Sequence, residues 1–234
     1  MFRPRDHSGM TEGGAPELVV PNAHARLSLG EAAAWMRPAP WSDLALAHAV
    51  PGLAAAERRA MPLGLRDAWI VAMREAIFGN HWEAQPLCQH CGESYEMTFA
   101  PRAMGLGADL IVATPQDGLH PVTLGDLLTI EAAPSLEDAL LARVGGAGQT
   151  DVSAKLEALD PAANLWLRAD CPDCGNHERH AFDPVLWLMR ECTRYARSLL
   201  NDIVDLAQAF HWSEDQILQL NPARRAYYLA EVRA

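Results

Sequence analysis

Cys88-Gln89-His90-Cys91-Gly92 and Cys171-Pro172-Asp173-Cys174-Gly175 are the two stretches that decide how this chain folds. Each is a Cys-x-x-Cys turn followed by glycine. Such a turn sets two thiolates on one side of a tetrahedral metal, and the glycine lets the backbone double back so that its amides approach the sulfurs. Strand-like sequence flanks both. Residues 94–99 alternate, with Tyr95, Met97 and Phe99 facing one way and Glu96 and Thr98 the other. Residues 165–169 run as a strand into Cys171, and residues 177–182 run as a strand out of Cys174. Two knuckles facing each other make a zinc ribbon, so Cys88, Cys91, Cys171 and Cys174 are expected to hold one structural Zn2+. Four cysteine ligands leave no position for water, so the metal is not expected to be catalytic and the protein is not expected to be an enzyme.

The 79 residues between Cys91 and Cys171 do not argue against this. Closing such a loop costs roughly 1.5 kcal/mol more than closing one of ~15 residues. Structural zinc supplies about 10–16 kcal/mol in finger peptides near neutral pH. Other readings of the cysteines exist. A redox Cys-x-x-Cys wants a helix N-terminus after a strand, whereas these pairs sit in glycine-containing turns. Iron suits four thiolates as zinc does, and the sequence does not separate them. His90 lies in one knuckle and His81, His177 and His180 lie near, so any of them can replace a cysteine, although surface histidine is the commoner role. His81-Trp82-Glu83 ahead of Cys88 and Cys91 has the residue types of a zinc deaminase, but that site needs its two parts on separate helices. The fifth cysteine, Cys192, falls on an apolar helical stripe and reads as a small core residue.

Working outward, Pro62-Leu63-Gly64 precedes a helix in which Trp69, Ile70, Met73 and Ile77 recur at helical spacing, with Gly79 as its C-terminal cap. Ser28 with Glu31 reads as a capping box for a short helix that Pro38 and Pro40 stop, and Ser42 starts another. Residues 110–113 and 119–122 read as a hairpin around Pro115-Gln116-Asp117-Gly118, and residues 124–131, 135–144 and 152–159 read as helices. The last third is helical. Asp183 caps and Pro184 opens a long helix whose stripe runs through Leu188, Cys192, Tyr195, Leu199, Ile203, Leu206 and Phe210. Ser213 with Gln216 forms a capping box, Trp212 and Ile217 a hydrophobic staple, and Asn221-Pro222 opens a final helix.

The chain has 234 residues, half of them hydrophobic, and a formal net charge of -11. That charge disfavours nonspecific contact with nucleic acid or an anionic membrane. No apolar run reaches the ~18 residues a membrane helix needs, and residues 1–26 carry no signal-peptide pattern. The protein is therefore expected in the cytoplasm, where paired cysteines favour metal over disulfide.

Two regions carry a resemblance. One is Pro62-Leu63-Gly64-Leu65-Arg66-Asp67 with its helix ending in Phe78-Gly79 and then the first knuckle. The other is Leu159-Asp160-Pro161-Ala162-Ala163, a strand, the second knuckle and the long helix. Together, over roughly residues 55–234, they resemble the T-even-phage baseplate hub assembly protein family, found in phages and in extracellular contractile injection systems. The segment 205–213, ending Phe210-His211-Trp212-Ser213, is similar to the turn between two helices in tail-assembly chaperones of contractile-tailed phages. The resemblance implies an accessory role in baseplate or tail assembly, with baseplate or tail proteins as partners. The metal rests on the cysteines themselves.

The expected architecture is α+β with a helical majority: a flexible tail at 1–26 and one zinc-stabilised domain at 27–234. That domain has a zinc-ribbon-like antiparallel sheet formed by the two knuckles, an inserted segment at 101–160 and a helical part at 183–234. Trp187, Trp212, Arg224, Arg225 and Tyr228 are the candidate partner-binding residues, as aromatic and arginine anchors. A nucleic-acid-binding ribbon protein is the alternative. The acidic balance and the lack of a Lys/Arg stripe count against it.

Overall fold

The computed structural model describes residues 17–106, 115–116 and 118–234. The chain runs through α1 (Ala23–Ala32), α2 (Pro38–Ala49), α3 (Ala55–Ala60), α4 (Leu63–Phe78), β1 (Trp82–Ala84) and β2 (Met97–Phe99). It continues through α5 (Leu124–Ile130), α6 (Leu136–Val144), α7 (Val152–Leu159), β3 (Leu165–Asp170) and β4 (His177–Phe182), and ends with α8 (Pro184–Phe210), α9 (Glu214–Leu218) and α10 (Pro222–Val232). Helix dominates. Among the described residues no helix is long and apolar enough to cross a membrane.

Helix α8 is the spine. Asp183 accepts from the Leu186 amide at its start and Pro184 takes the first turn, where a missing N–H costs nothing. Its N-terminal half buries Val185, Leu188, Met189 and Cys192 against Trp41, Trp69, Ile70 and Met73 of α2 and α4. Its C-terminal half buries Ala196, Leu199, Ile203 and Leu206 against Leu27, Ile217, Leu218 and Leu229. Each fully buried large apolar side chain contributes about 1.5–3 kcal/mol. Helix α1 lies so close along α8 that a Cβ on Gly30 would stand 2.3 Å from the Cys192 carbonyl oxygen. Glycine is therefore needed in mid-helix despite its propensity cost. Cys192 is core, and burial pushes its thiol up to about 12.

Several local expectations change. The first helix starts at Ala23, inside the stretch read as tail, with Asn22 rather than Ser28 as its cap. Residues 1–16 lie outside the described residues, but Leu18 packs on the main core and the Val19 amide donates to Ala49 O at 2.6 Å. Pro38 does not stop a helix; it opens α2, the one helical position where proline is already shaped for the turn. Of the strand read at 94–99 only Met97–Phe99 forms a ladder, with Ser94 adding an isolated bridge to Leu87; its partner β1 lies in the strand-like flank ahead of Cys88, for which the sequence reading sets no bounds. The hairpin read around 115–118 has its first strand outside the described residues; its remainder is a Gln116–Leu119 bridge.

The sheet is also not one sheet but two, each a two-stranded antiparallel hairpin. They share a register. Trp82 pairs with Phe99 in the first hairpin and Leu165 with Phe182 in the second, each partner 83 residues further on. The isolated Leu87–Ser94 bridge matches the Asp170–His177 pair by the same offset. Both hairpins leave through Phe-x-Pro, at Phe99-Ala100-Pro101 and Phe182-Asp183-Pro184. Phe99 and Phe182 meet edge to face at 5.2 Å, in a cluster with Trp82 and Trp187.

Candidate metal centre

The two knuckles are built alike. The Cys88 amide donates to Glu93 O and the Gly92 amide to Cys88 O, at 2.8 and 2.9 Å. The Cys171 amide donates to Asn176 O and the Gly175 amide to Cys171 O, both at 2.9 Å. Gly92 (φ 79°) and Gly175 (φ 71°) adopt the left-handed conformation that lets each turn close. In each knuckle the next two amides but one face the first sulfur: His90 and Cys91 for Cys88, Asp173 and Cys174 for Cys171.

The knuckles meet tip to tip. Cys88 Sγ lies 3.6 Å from Cys174 Sγ, and Cys91 Sγ lies 3.7 Å from Cys171 Sγ. Those two pairs exchange under the same 83-residue offset, so the hairpins face each other about a local two-fold axis. All four sulfurs lie within 4.8 Å of one another and none is in a disulfide. A tetrahedron with metal–sulfur arms of ~2.3 Å has edges of ~3.8 Å. The observed separations fit, so the four cysteines cluster at metal-binding distance.

Without a cation such a cluster resists ionisation. The Cys91 amide favours the Cys88 thiolate, yet burial and the neighbouring Cys91 and Cys174 sulfurs push Cys88 up to about 12. Burial also opposes ionisation of Cys171, but the amides of Cys174 and Asp173 and the adjacent thiols bring it below its ordinary value. A divalent metal removes this conflict by displacing the protons. His90, His81 and His177 are exposed and outside the sulfur cluster; His177 instead contacts Asp170 at 2.6 Å.

A buried carboxylate bridges the hairpins. Glu178 of β4 accepts from the Gln89 amide of the opposite knuckle at 2.6 Å and from Asn176 Nδ2 at 3.2 Å. Burial opposes its charge, but the Gln89 amide, the Cys88 thiol and Asn176 hold it below the usual carboxylate range. Tyr95, its counterpart in the first hairpin, donates to Glu178 Oε2 at 3.4 Å and meets His180 Nε2 at 2.9 Å. Sequence reading named Tyr95 only as a strand residue and missed Glu178; the signal for their shared place was their equal spacing from the cysteines.

The stretches containing Gly64 and Asp160 also meet. The Gly64 amide donates to Asp160 Oδ2 at 2.8 Å, and a Cβ on Gly64 would stand 2.2 Å from Asp160 Oδ1. Beside them Arg66 pairs with Asp67 at 2.7 Å, out of water. Burial, only partly countered by Arg66, pushes Asp67 up to about 6.

The five candidate partner-binding residues separate into two sets. Trp187 is half-buried in the aromatic cluster between the hairpins, and Arg225 is buried. Helical periodicity placed them on α8 and α10 without revealing what packs above. Trp212, half-buried, stacks on Phe210 at 4.7 Å and meets Tyr228 at 5.1 Å; exposed Arg224 bonds the Tyr228 hydroxyl at 3.2 Å. Searches with this chain against protein-family models, curated proteins and solved structures found no match.

Proposed function

We propose that the protein is a non-enzymatic assembly factor for the baseplate or tail of a phage-like contractile injection system. Its two hairpins form a zinc-ribbon-like unit around one Zn2+, and its work is protein binding. The observation that carries the non-enzymatic part is the closed sulfur cluster, which leaves no ligand position for substrate or water. Four thiolates suit zinc or iron; zinc is the reading taken because paired Cys-x-x-Cys knuckles are the usual structural zinc site.

The binding part is supported by apolar surface at one end of the helical spine. Leu200, Val204 and Phe210 of α8 and Tyr227 of α10 are all exposed, beside the Phe210–Trp212–Tyr228 aromatic group. The Phe210, Trp212, Tyr228 and Tyr227 rings touch in series, an aromatic patch of the kind that supports an interaction site. The assembly role is supported by the Gly64–Asp160 contact, which joins the two stretches that carry the resemblance into one unit.

Two measurements test this reading. Elemental analysis of the purified chain should find one zinc and no iron. Co-purification with the sheath, tube and baseplate proteins of a contractile particle from the same source should recover at least one baseplate or tail component. Iron in place of zinc would overturn the metal, and failure to bind any component would overturn the role.

A further inference from the structure

A groove of about 750 Å³ opens between the hairpins and the N-terminal half of α8. Its apolar lining includes Met97, Leu167, Leu186 and Trp187. Its charged lining is Arg190, Arg194 and Arg197, with Glu83 as the single carboxylate. The three arginines recur at i, i+4 and i+7, which places them on one face of the helix, a short basic stripe that the sequence reading overlooked. All three are exposed, and no carboxylate of the described residues pairs with any of them.

That absence of partners stands out in this chain. Carboxylates outnumber Lys and Arg by 30 to 19. Arg58, Arg66, Arg74 and Arg143 are each tied to one. Three neighbouring guanidinium groups repel each other by a few tenths of a kcal/mol per pair, and no carboxylate of the described residues pairs with them to offset it. Among the described residues the buried Trp187 Nε1–H has no acceptor. A buried donor left unpaired costs about 1–3 kcal/mol.

We propose that this groove receives an extended acidic segment of a partner protein. Its carboxylates meet Arg190, Arg194 and Arg197, and its apolar side chains lie against Leu186, Trp187 and Met97. The spacing suits an extended chain. Arg190 and Arg194 are separated by ~6 Å of helix rise, close to the ~6.6 Å between alternate residues of a strand. Alternation then turns acidic residues to the arginines and apolar residues to the lining. A long polyanion suits the groove less, because the net charge of -11 repels it and the apolar lining gains nothing from phosphate. This deepens the assembly-factor reading and rests on its premise that the partners are proteins.

The test pans a display library of random 12-residue segments on the full-length metal-loaded chain. Enriched segments should carry Asp or Glu alternating with apolar residues. A synthetic peptide of the leading segment should lose about 10-fold or more in affinity to the Arg190→Glu/Arg194→Glu/Arg197→Glu variant, and should weaken as salt rises. Because all three side chains are exposed, the variant should keep the parent's metal content, which verifies its fold. Enrichment of basic or neutral segments would overturn the proposal, as would a peptide affinity unchanged in the variant. Displacement of the peptide by single-stranded oligonucleotide of equal charge would reassign the groove to nucleic acid. If no acidic segment is enriched while the chain still captures baseplate proteins, the groove proposal fails and the assembly reading stands. If the peptide binds as expected but no baseplate protein is captured, the reverse holds.

Discussion

The two cysteine hairpins follow one plan, but different forces hold them. The second runs an unbroken six-residue ladder from Leu165–Phe182 to Asp170–His177. The first pairs only three residues, then a single Leu87–Ser94 bridge. Pro86 explains the gap. It stands where Ala169 stands in the second hairpin, its carbonyl accepts from the Tyr95 amide at 3.2 Å, and it has no N–H to return. An isolated two-stranded hairpin is marginal in water even with a full ladder. The first hairpin therefore depends on its contacts with the second: the sulfur cluster, Glu178 on Gln89, and the Phe99–Phe182 packing. Equal geometry does not imply equal local stability.

The largest effect that would break this comparison is metal removal. A strong chelator should release one metal ion per chain and free four thiols to titration, with Cys192 reacting only on unfolding. Hydrogen exchange should then show protection lost first at 82–99 and later at 165–182; simultaneous loss would mean that the hairpins are equally dependent on the metal. About 10–16 kcal/mol of binding energy is at stake.

Next come the residues that tie the entrances of the hairpins together. Gly64→Ala drives a Cβ into Asp160 and should cost roughly 1–3 kcal/mol by denaturant melt. Asp67, raised to about 6, contributes stability that is fully present below its unfolded pKa and lost as pH rises through about 6. The gain on moving from pH 7 to pH 4 is roughly 2 kcal/mol. Asp67→Asn should remove that slope, which melts of both proteins in the same metal-buffered series will measure; an unchanged slope would assign it to other groups.

Smaller effects sharpen the picture. Glu178→Ala should weaken metal retention by about 10- to 100-fold in chelator competition, because it frees the Gln89 amide beside the sulfurs. Tyr95→Phe, at the matching position of the other hairpin, should change retention far less. Pro86→Ala should be the mildest. It restores a donor opposite Tyr95 and should slow exchange in the first hairpin, with a gain on the order of 1 kcal/mol or less. No gain would show that Pro86 is not what shortens the ladder.

Much of the metal centre was legible because its signals are local: Cys-x-x-Cys-Gly spacing, and strand alternation around it. Helix ends were legible for the same reason, since Asp183, Ser213 and Asn221 each cap the turn that follows them. The errors have equally physical causes. Proline looks alike before and after a helix boundary, so Pro38 was read as a stop rather than a start. The shared hairpin register was hidden because only the cysteines, their glycines and Phe-x-Pro recur, while Tyr95 and Glu178 fill equivalent places with different chemistry. The Gly64–Asp160 contact spans 96 residues and leaves no periodic trace. Trp187 and Arg225 lie on faces whose polarity says nothing of what the tertiary fold lays over them.

The 83-residue offset between equivalent cysteines also sets a timetable for biosynthesis. At roughly 5–20 residues per second, the ribosome delivers the second pair several seconds to a quarter of a minute after the first. Throughout that interval a nascent chain owns two sulfurs and no closed cage. The four-sulfur cage that could hold a metal ion closes only when translation has passed Cys174, so products terminated before that point lack it.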